Sequence, residues 1–450
     1  MAQAIQCQGV PRAGPVLGSA RIATPVNLRP GMEELTKKLD SWAERWIASE
    51  RLPCLACAVA VDGKRLYRQS HGWADKEAGK PLSGDDVFQL ASCTKLATAV
   101  AAMQLYERGL WRLDDEVSKF IPSFAAVPGV AKGKGKDLEP LARPIVMRDI
   151  LTHTSGISYS VLPVLRDGRP NPMARKLAKA EKAETLAEVI DAAAAVPLVH
   201  QPGETWSYSM GIDVAGRVVE VLSGMPLDEY FEKHIFGPLG MTSTCFTQRI
   251  TPEIQARQVQ CYSANIMAVM QDAKGFYKED FQGERMQRMP NDALQRGPAL
   301  VPGGGLVSTL DDWMALIECL CGGGLCRDGS RLLQPETIEL MAQNHLPENC
   351  AAGPQVSLIN GRRREEQGYG FGLGVAVAPD PLGGAAASSG LFEWGGLTST
   401  IFWVDLRHRL AVVCFTQLLP SSVYALRTEL KELLYGHLGT AVPGQQRSRL

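Results

Sequence analysis

An almost wholly apolar segment of the chain, residues 96–105, follows directly on the tetrapeptide Ser92-Cys93-Thr94-Lys95. Its spacing predicts a helix over residues 94–108 that stops at Gly109. A helix that is apolar on most of its sides has to be covered on most of its sides. The segment therefore predicts a central, buried helix with Ser92 and Lys95 at its start.

Strand-like and helix-like segments lie on either side of this central helix. Residues 32–50 carry apolar side chains every three or four positions, which predicts a helix. Two short runs, 55–61 and 65–70, flank Asp62-Gly63 and predict a β-hairpin. Toward the other end of the chain we expect a helix at 309–320 capped by Thr309 or Asp311, strands at 371–378, 398–405 and 410–416, and a closing helix at 423–437.

The stretch between residues 119 and 299 differs in character from both ends. Helix-forming segments dominate it, near 174–195, 213–222 and 227–235, and few strand-like runs occur. This order predicts an α/β domain interrupted by a mainly α-helical insertion. We therefore expect an N-terminal arm (1–31), a discontinuous α/β domain (32–118 and 300–438), a mainly helical domain (119–299) and a flexible tail (439–450).

Composition argues against several classes of partner. The 47 Lys and Arg residues balance 48 Asp and Glu residues without an evident basic face, which argues against binding of nucleic acid. No apolar run approaches the ~20 residues that span a bilayer. The 11 cysteines are odd in number and scattered, so we expect buried, inert thiols in a reducing compartment. Cys54-Leu55-Ala56-Cys57 has metal-ligand spacing but no second ligand pair, and we expect no metal or organic cofactor.

The pair Ser92 and Lys95 is the strongest candidate for chemistry. A serine hydroxyl is a weak nucleophile until a base takes its proton. Positions i and i+3 share one face of a helix, and burial disfavours the charged form of an amine, so Lys95 can serve as that base. The free N–H groups of the helix N-terminus suit a developing oxyanion. The alternative is that Ser92 only caps the helix and Lys95 is a surface lysine.

Other common hydrolase motifs do not occur in the sequence. It contains no G-x-S-x-G, which removes the nucleophile turn of the α/β-hydrolases. The seven histidines form no H-E-x-x-H or comparable metal motif. A Ser–Lys nucleophile therefore has no strong rival within the chain.

Five segments, in order, resemble the serine β-lactamase and penicillin-binding-protein superfamily. They are FQLASCTK (88–95), ERGLWRLDD (107–115), DILTHTSGI (149–157), PGETWSYS (202–209) and GGLVST (304–309). The resemblance covers residues 32–437. It implies a β-lactamase-like fold of the α/β class, in which an antiparallel sheet is flanked by helices and carries a mainly α-helical insertion domain.

Within the superfamily the chain is most similar to class C-type esterases and acyltransferases. It particularly resembles fungal transesterases that load acyl side chains onto polyketides such as the statins. Where β-lactamases carry Y-x-N, this chain has Tyr208-Ser209-Met210, and where they carry K-T-G it has Trp394-Gly395-Gly396. Both departures argue against β-lactam recognition, and an aromatic wall suits a neutral or hydrophobic acyl group or alcohol.

The resemblance implies acyl transfer through an acyl-serine. Ser92 would be the nucleophile and Lys95 its base, and Tyr208 would protonate the leaving group and help to activate the incoming alcohol or water. Backbone N–H groups of Ser92 and Leu397 would form the oxyanion hole. We expect substrate contacts from Trp394, Gly395 and Gly396, and an acceptor pocket shaped by residues 119–299 and the loops around 351–368.

Plainer interpretations exist for three of these residues. Tyr208 could be an ordinary core tyrosine. Trp394 could be core packing, with its flanking glycines serving a bulge at an edge strand. His153 is expected to be a structural hydrogen-bonding group in its turn rather than a catalytic base.

Three functions compete on this sequence. The first is a transesterase, acyltransferase or esterase acting on an ester or thioester of a secondary metabolite, with a small-molecule acceptor and with acyl-CoA or a carrier-bound acyl group as candidate donors. The second is a β-lactamase or D-alanyl-peptidase. The third is a non-catalytic scaffold that kept the fold, against which the intact Ser92, Lys95 and Tyr208 argue.

The chain termini suggest a location. Ser448-Arg449-Leu450 is a conservative variant of the Ser-Lys-Leu peroxisomal address, and no apolar core of a secretion signal occurs near the start. We expect a peroxisomal or cytosolic enzyme. The competing expectation is mitochondrial, because the first 32 residues contain arginines and no acidic residue.

Overall fold

This computed structural model describes residues 32–132, 137–159, 171, 174–180, 182–265, 284–290, 297–348, 350, 369–378, 390–421 and 423–441. Sixteen strands occur in this described part of the chain. The strands are β1 (Cys54–Val61), β2 (Lys64–Asp75), β3 (Lys80–Pro81), β4 (Val87–Gln89), β5 (Val130–Lys132), β6 (Asp137–Glu139), β7 (Cys245–Phe246), β8 (Tyr262–Ala264), β9 (Met286–Arg288), β10 (Leu306–Thr309), β11 (Gly370–Phe371), β12 (Ala376–Val377), β13 (Leu391–Gly395), β14 (Ile401–Asp405), β15 (Leu410–Phe415) and β16 (Leu418–Leu419).

The helices range from single turns to five turns. They are α1 (Met32–Ala48), α2 (Lys95–Glu107), α3 (Met147–Leu151), α4 (Ala174–Ala180), α5 (Leu186–Ala194), α6 (Gly211–Ser223), α7 (Leu227–Phe231), α8 (Gly237–Leu239), α9 (Pro252–Ala256), α10 (Leu310–Cys321), α11 (Pro335–Met341) and α12 (Leu426–Ala441). A 3₁₀ turn, Ala91–Thr94, leads into α2.

The main sheet takes its strands from both ends of the chain. Its order is β11-β12-β13-β14-β15-β1-β2-β3, and each neighbouring pair is antiparallel. The early and late segments meet where β1 pairs with β15, with Val59 opposite Val412. The predicted fold class, an antiparallel sheet flanked by helices, is therefore confirmed.

Strand β1 shows how the sheet separates two apolar layers. Successive side chains of a strand point to opposite faces. Leu55 and Val59 pack in one cluster with α1 and α12, whereas Ala56 and Ala58 pack in the other with α2 and α10. Because both faces are covered, every residue of β1 is buried.

Helix α2 occupies the centre of the second layer, as its apolar sequence predicted. Its residues from Lys95 to Met103 are all buried, and α6 packs against it. A small sheet of order β4-β10-β7 lies next to its start, and Val307 of β10 pairs with Gln89 of β4. This pairing brings the loop before β10 close to the turn that carries Ser92.

Two predicted elements differ in detail from the structure, and for a third the structure selects one of the two predicted caps. Residues 174–195 form two helices, because the Thr185 side chain accepts the Glu188 N–H and begins a new helix at Leu186. Residues 371–378 contain two short strands, β11 and β12, since the backbone turns at Gly374 with φ +85°. The cap of α10 is Thr309, whose side chain accepts the Asp312 N–H.

The interpretation of Trp394 as part of a bulged edge strand is wrong. Its strand, β13, lies inside the sheet, where it pairs with β12 on one side and with β14 on the other. The register from Leu391↔Asp405 to Gly395↔Ile401 is continuous, without a bulge.

Some expectations stay predictions. The N-terminal arm, the loops around 351–368 and the tripeptide Ser448-Arg449-Leu450 lie outside the described residues. The division of the chain into a discontinuous α/β domain and a mainly helical domain is likewise still a prediction. Among the described helices, none combines the length and the apolar character needed to cross a membrane.

Candidate active site

Ser92 lies in a strained turn at the entrance to α2. The preceding residue, Ala91, has φ +46°, a conformation that residues with a side chain rarely adopt. Gly396 packs directly on this turn, and a Cβ there would lie 2.2 Å from the Leu90 carbonyl oxygen. Such outliers persist only where the surrounding structure holds them, and they concentrate at functional sites.

The structure brings Ser92, Lys95 and Tyr208 together. The Tyr208 hydroxyl donates to Ser92 Oγ over 2.6 Å, and Lys95 Nζ donates to the same oxygen over 3.4 Å. Lys95 Nζ also lies 4.7 Å from the centroid of the Tyr208 ring. Lys95 is only 1% exposed, so it is not the surface lysine of the alternative interpretation.

The second partner of Lys95 was not predicted from the sequence. Lys95 Nζ donates to the carbonyl oxygen of Gly303 over 2.5 Å. Gly303 cannot carry a side chain, because a Cβ would lie 2.5 Å from Asp213 Oδ2 and 2.6 Å from the Tyr159 hydroxyl. The signal that could have revealed Asp213 is an acidic residue between two buried apolar ones, Ile212 and Val214, near the start of a helix.

His153 fixes the backbone on both sides of Tyr208. Its carbonyl oxygen accepts the N–H of Ser207, and its Nδ1 accepts the N–H of Ser209 over 3.2 Å. The Ser209 hydroxyl lies 2.9 Å from the same ring nitrogen. In its expected structural role, His153 therefore holds the segment that carries Tyr208.

The ring of His153 is completely buried and uncharged. Burial, and secondarily the positive charge of protonated Lys95, lowers its pKa well below the usual value for histidine. Because Nδ1 accepts the Ser209 N–H, the ring proton resides on Nε2. That nitrogen has no hydrogen-bond partner in the described structure.

Aromatic rings line one side of Tyr208. Ring centroids of Trp394 and Tyr159 lie 5.7 and 5.3 Å from that of Tyr208, and Phe371 lies 5.3 Å from Trp394. Trp394 is 4% exposed, so it packs in the core as well as facing Tyr208. Its contact with substrate stays a prediction.

The turn between β13 and β14 lies against the turn of Ser92. Thr400 Oγ1 donates to the Leu90 carbonyl over 2.9 Å, and the Cys93 thiol contacts the same hydroxyl at 3.4 Å. Thr398 Oγ1 donates to the Gln89 carbonyl over 2.8 Å. Leu397 lies within this turn and its side chain is 42% exposed, while its role in an oxyanion hole stays a prediction.

The pair Cys54 and Cys57 lies on β1, well inside the sheet. Their side chains belong to different apolar clusters, on opposite faces of the strand. Burial raises the pKa of the Cys54 thiol to about 12. Such a thiol is protonated at neutral pH and is a poor nucleophile.

Comparison with known proteins gives a consistent assignment. The β-lactamase family profile matches residues 30–436. Lovastatin esterase of Penicillium rubens is 32% identical over 315 residues, 68% of this chain and 72% of that protein. Monacolin J acid methylbutanoyltransferase of Aspergillus terreus is 31% identical over 354 residues, 76% of this chain and 79% of that protein.

Structural comparison points in the same direction. The solved structure of EstCE1, a hydrolase with promiscuous acyltransferase activity, superposes with a TM-score of 0.66 and 26% identity, covering 92% of this chain and all of that one.

Against Rv1367c of Mycobacterium tuberculosis the chain is 32% identical over 287 residues. That alignment spans 63% of this chain and 66% of the relative, slightly less than two thirds of its length.

Proposed function

The chain belongs to the β-lactamase family, and from this membership and the geometry around Ser92 we propose that it is a serine-dependent esterase or transesterase. The observation that carries the proposal is the convergence of Lys95 Nζ and the Tyr208 hydroxyl on Ser92 Oγ. Two groups able to exchange a proton with one hydroxyl meet the requirement for an activated nucleophile. Relatives named esterase and acyltransferase support the same reaction class.

Acylation begins with removal of the Ser92 proton. Neutral Lys95 takes that proton as Ser92 Oγ attacks the carbonyl carbon of an ester or thioester, and the carbonyl electron pair moves to oxygen. Collapse of this intermediate expels the alcohol or thiol, which Tyr208 protonates. The product of this half-reaction is an acyl-Ser92 ester.

Deacylation reverses the proton path. An incoming alcohol gives its proton to the deprotonated Tyr208, and its oxygen bonds to the acyl carbon. The bond from that carbon to Ser92 Oγ then breaks, and Lys95 returns its proton to Ser92, which completes a transesterification. Attack by water in the same way gives hydrolysis. Backbone N–H groups of Ser92 and Leu397 are the proposed oxyanion donors. Loss of one such donor raises a barrier by about 3 kcal/mol.

The substrate is proposed to be a neutral or hydrophobic ester or thioester rather than a β-lactam. Met210 and Trp394 stand where β-lactamases carry an amide and a cation, and neither side chain offers a charge to a carboxylate. The rings of Tyr159 and Trp394 pack beside Tyr208 instead. Acyl-CoA and carrier-bound acyl groups are the proposed donors, and a small secondary-metabolite alcohol is the proposed acceptor.

Replacement of Ser92 tests the proposal. We expect intact-mass spectrometry to detect an acyl adduct after incubation of the full chain with acyl thioesters or p-nitrophenyl esters. Ser92→Ala should lose both the adduct and ester turnover, because it removes the proposed nucleophile. The measurements are the adduct mass and the rate of p-nitrophenol release.

A matched serine variant controls for non-specific effects. Ser118→Ala removes a partly exposed serine whose hydroxyl donates to Glu116, and it should retain full turnover. Circular dichroism and thermal unfolding should show that both variants fold. Substantial ester turnover by folded Ser92→Ala would refute the nucleophile, and fast nitrocefin hydrolysis by the unchanged protein would instead favour a β-lactamase.

A further inference from the structure

Five carboxylates of the described chain are almost completely buried: Asp86, Asp149, Asp213, Glu393 and Asp405. Four of them lie within 4.0 Å of a basic side chain, namely Lys80, Arg143, Arg427 with Lys431, and His408. Asp213 differs, since no Lys, Arg or His of the described chain lies within ion-pair distance of it. Burying a carboxylate without a cation costs stability, so its presence here calls for an explanation.

Lys95 is the complementary case. It is a buried amine that forms no direct ion pair with a described carboxylate, and its polar contacts are Ser92 Oγ and the Gly303 carbonyl. Asp213 Oδ1 accepts the N–H of the same glycine over 2.9 Å. One residue, Gly303, therefore lies between a buried acid and a buried base.

The path from Asp213 to Lys95 is held rigidly. The Pro302–Gly303 peptide is bonded at both ends, with its N–H on Asp213 and its carbonyl accepting Thr98 Oγ1 over 2.7 Å. The other carboxylate oxygen, Asp213 Oδ2, accepts the Tyr159 hydroxyl over 2.9 Å. These bonds fix the carbonyl of Gly303 that Lys95 uses.

Two titratable groups of the described chain near Lys95 carry no negative charge at neutral pH. Burial lowers the pKa of His153 well below its usual value and raises that of Cys93 to about 12, so both are neutral. The remaining neighbours are the rings of Tyr159 and Tyr208, at 5.4 and 4.7 Å from Nζ. Asp213 is thus the negative charge that the described structure connects to Lys95.

We propose that Asp213 is a positioning residue and counter-charge for the proton transfer at Lys95. The inference rests on the proposed acyl transfer at Ser92. When the Ser92 proton moves to Nζ and Oγ bonds to the acyl carbon, a positive charge forms in a buried place. The fixed carboxylate of Asp213 stabilises that charge through space, and the Gly303 peptide that it anchors keeps Nζ aimed at Ser92.

Asp213→Asn tests the proposal, because it keeps size and one acceptor but removes the charge. We expect kcat for a p-nitrophenyl ester and the rate of Ser92 labelling by a fluorophosphonate to fall about 10- to 100-fold, with KM unchanged. The rates are compared at the pH at which each protein is most active. The matched control is Asp405→Asn. Asp405 is a buried carboxylate at the end of β14 that lies farther from the turn packed against Ser92. This variant should lose thermal stability but keep kcat.

A second background separates positioning from general structural damage. In Lys95→Ala, adding Asp213→Asn should not slow the residual labelling of Ser92 further, because the group it serves is gone. Equal losses in both backgrounds, or an unchanged kcat in folded Asp213→Asn, would overturn the proposal. An active Ser92→Ala variant would refute the acyl-enzyme itself, which is a different result.

If Asp213→Asn does not fold, Tyr159→Phe tests the proposal instead. This variant removes one of the two hydrogen bonds on the carboxylate and leaves its charge. The proposal then requires kcat to fall about threefold or more at constant KM, since a looser carboxylate holds the Gly303 carbonyl less firmly. An unchanged kcat would overturn it.

Discussion

His153 is the residue whose charge state most directly links the site to stability. Burial lowers its pKa in the folded state. The unfolded chain therefore binds a proton near pH 6.5, whereas the folded chain does not. The stability contributed by neutral His153 is complete above that pH. It is lost as the pH falls below it, toward the lowered pKa of the folded state.

We expect His153→Asn to flatten this dependence. Asparagine tolerates the positive φ of +58° at this position and can accept the Ser209 N–H, but it does not titrate. Between about pH 6 and pH 5 the free energy of unfolding should fall by up to about 1.4 kcal/mol per pH unit more in the unchanged protein than in the variant. Urea unfolding at pH 7, 6 and 5 measures both slopes, and parallel curves would contradict the prediction.

Local and distant residues of the site differ in how far sequence could identify them. Ser92 and Lys95 lie on one face because i and i+3 do so in any helix, and Tyr208 could be assigned only through the resemblance of its segment. Asp213 and Gly303 meet across 90 residues, in a contact with no local pattern. Tertiary packing alone creates that contact, so the sequence did not predict it.

Among the elements, β13 and α12 are joined by buried charges. Glu393 of β13 is completely buried and pairs with Arg427 and Lys431 of α12. Arg427 also donates to the Trp394 carbonyl over 2.9 Å. The strand that carries Trp394 and Gly395 is therefore anchored from the face of the sheet remote from α2.

Breaking this anchor should destabilise the protein strongly. Arg427→Met removes one of two cations from a buried carboxylate, and we expect a loss of about 3 kcal/mol in the free energy of unfolding. Arg249→Met, which removes a largely exposed partner of Asp228, should cost less than about 1 kcal/mol. Chemical unfolding of both variants measures the two free energies of unfolding. Similar losses would show that the buried pair contributes no more to stability than the exposed pair.

The secondary-structure elements also differ in whether local sequence or distant contacts determine them. The hairpin of β1 and β2 and the helix α2 follow from local periodicity and turn residues. The interior position of β13 does not, because it depends on pairing with two strands that the sequence cannot order. The break of residues 174–195 was detectable in principle, since Thr185 and Glu188 form a capping box.

At the scale of the whole molecule, the first and last helices share one apolar layer. Trp42 and Trp46 of α1 both donate to Glu429 of α12, and both helices cover the same face of β1. The N-terminal helix is therefore part of the common core. We infer that α1 and α12 unfold together.

Leu39→Ala tests this coupling. Truncation of this fully buried side chain should cost about 2–5 kcal/mol. Hydrogen exchange should become faster in β15 and α12 as well as in α1, because the transition is shared. Val221→Ala, at a 40% exposed site, should change stability by no more than about 0.5 kcal/mol. Faster exchange confined to α1 would contradict the coupling.

The separation of the site residues along the chain has a consequence during synthesis. Ser92 meets Tyr208 across 116 residues, and Lys95 meets Gly303 across 208. While the ribosome is still adding residues beyond Lys95, Ser92 and Lys95 lack the Tyr208 hydroxyl and the Gly303 carbonyl. Under the proposed mechanism we therefore expect the nascent chain to be inactive toward esters until these distant residues have been synthesised and folded into place.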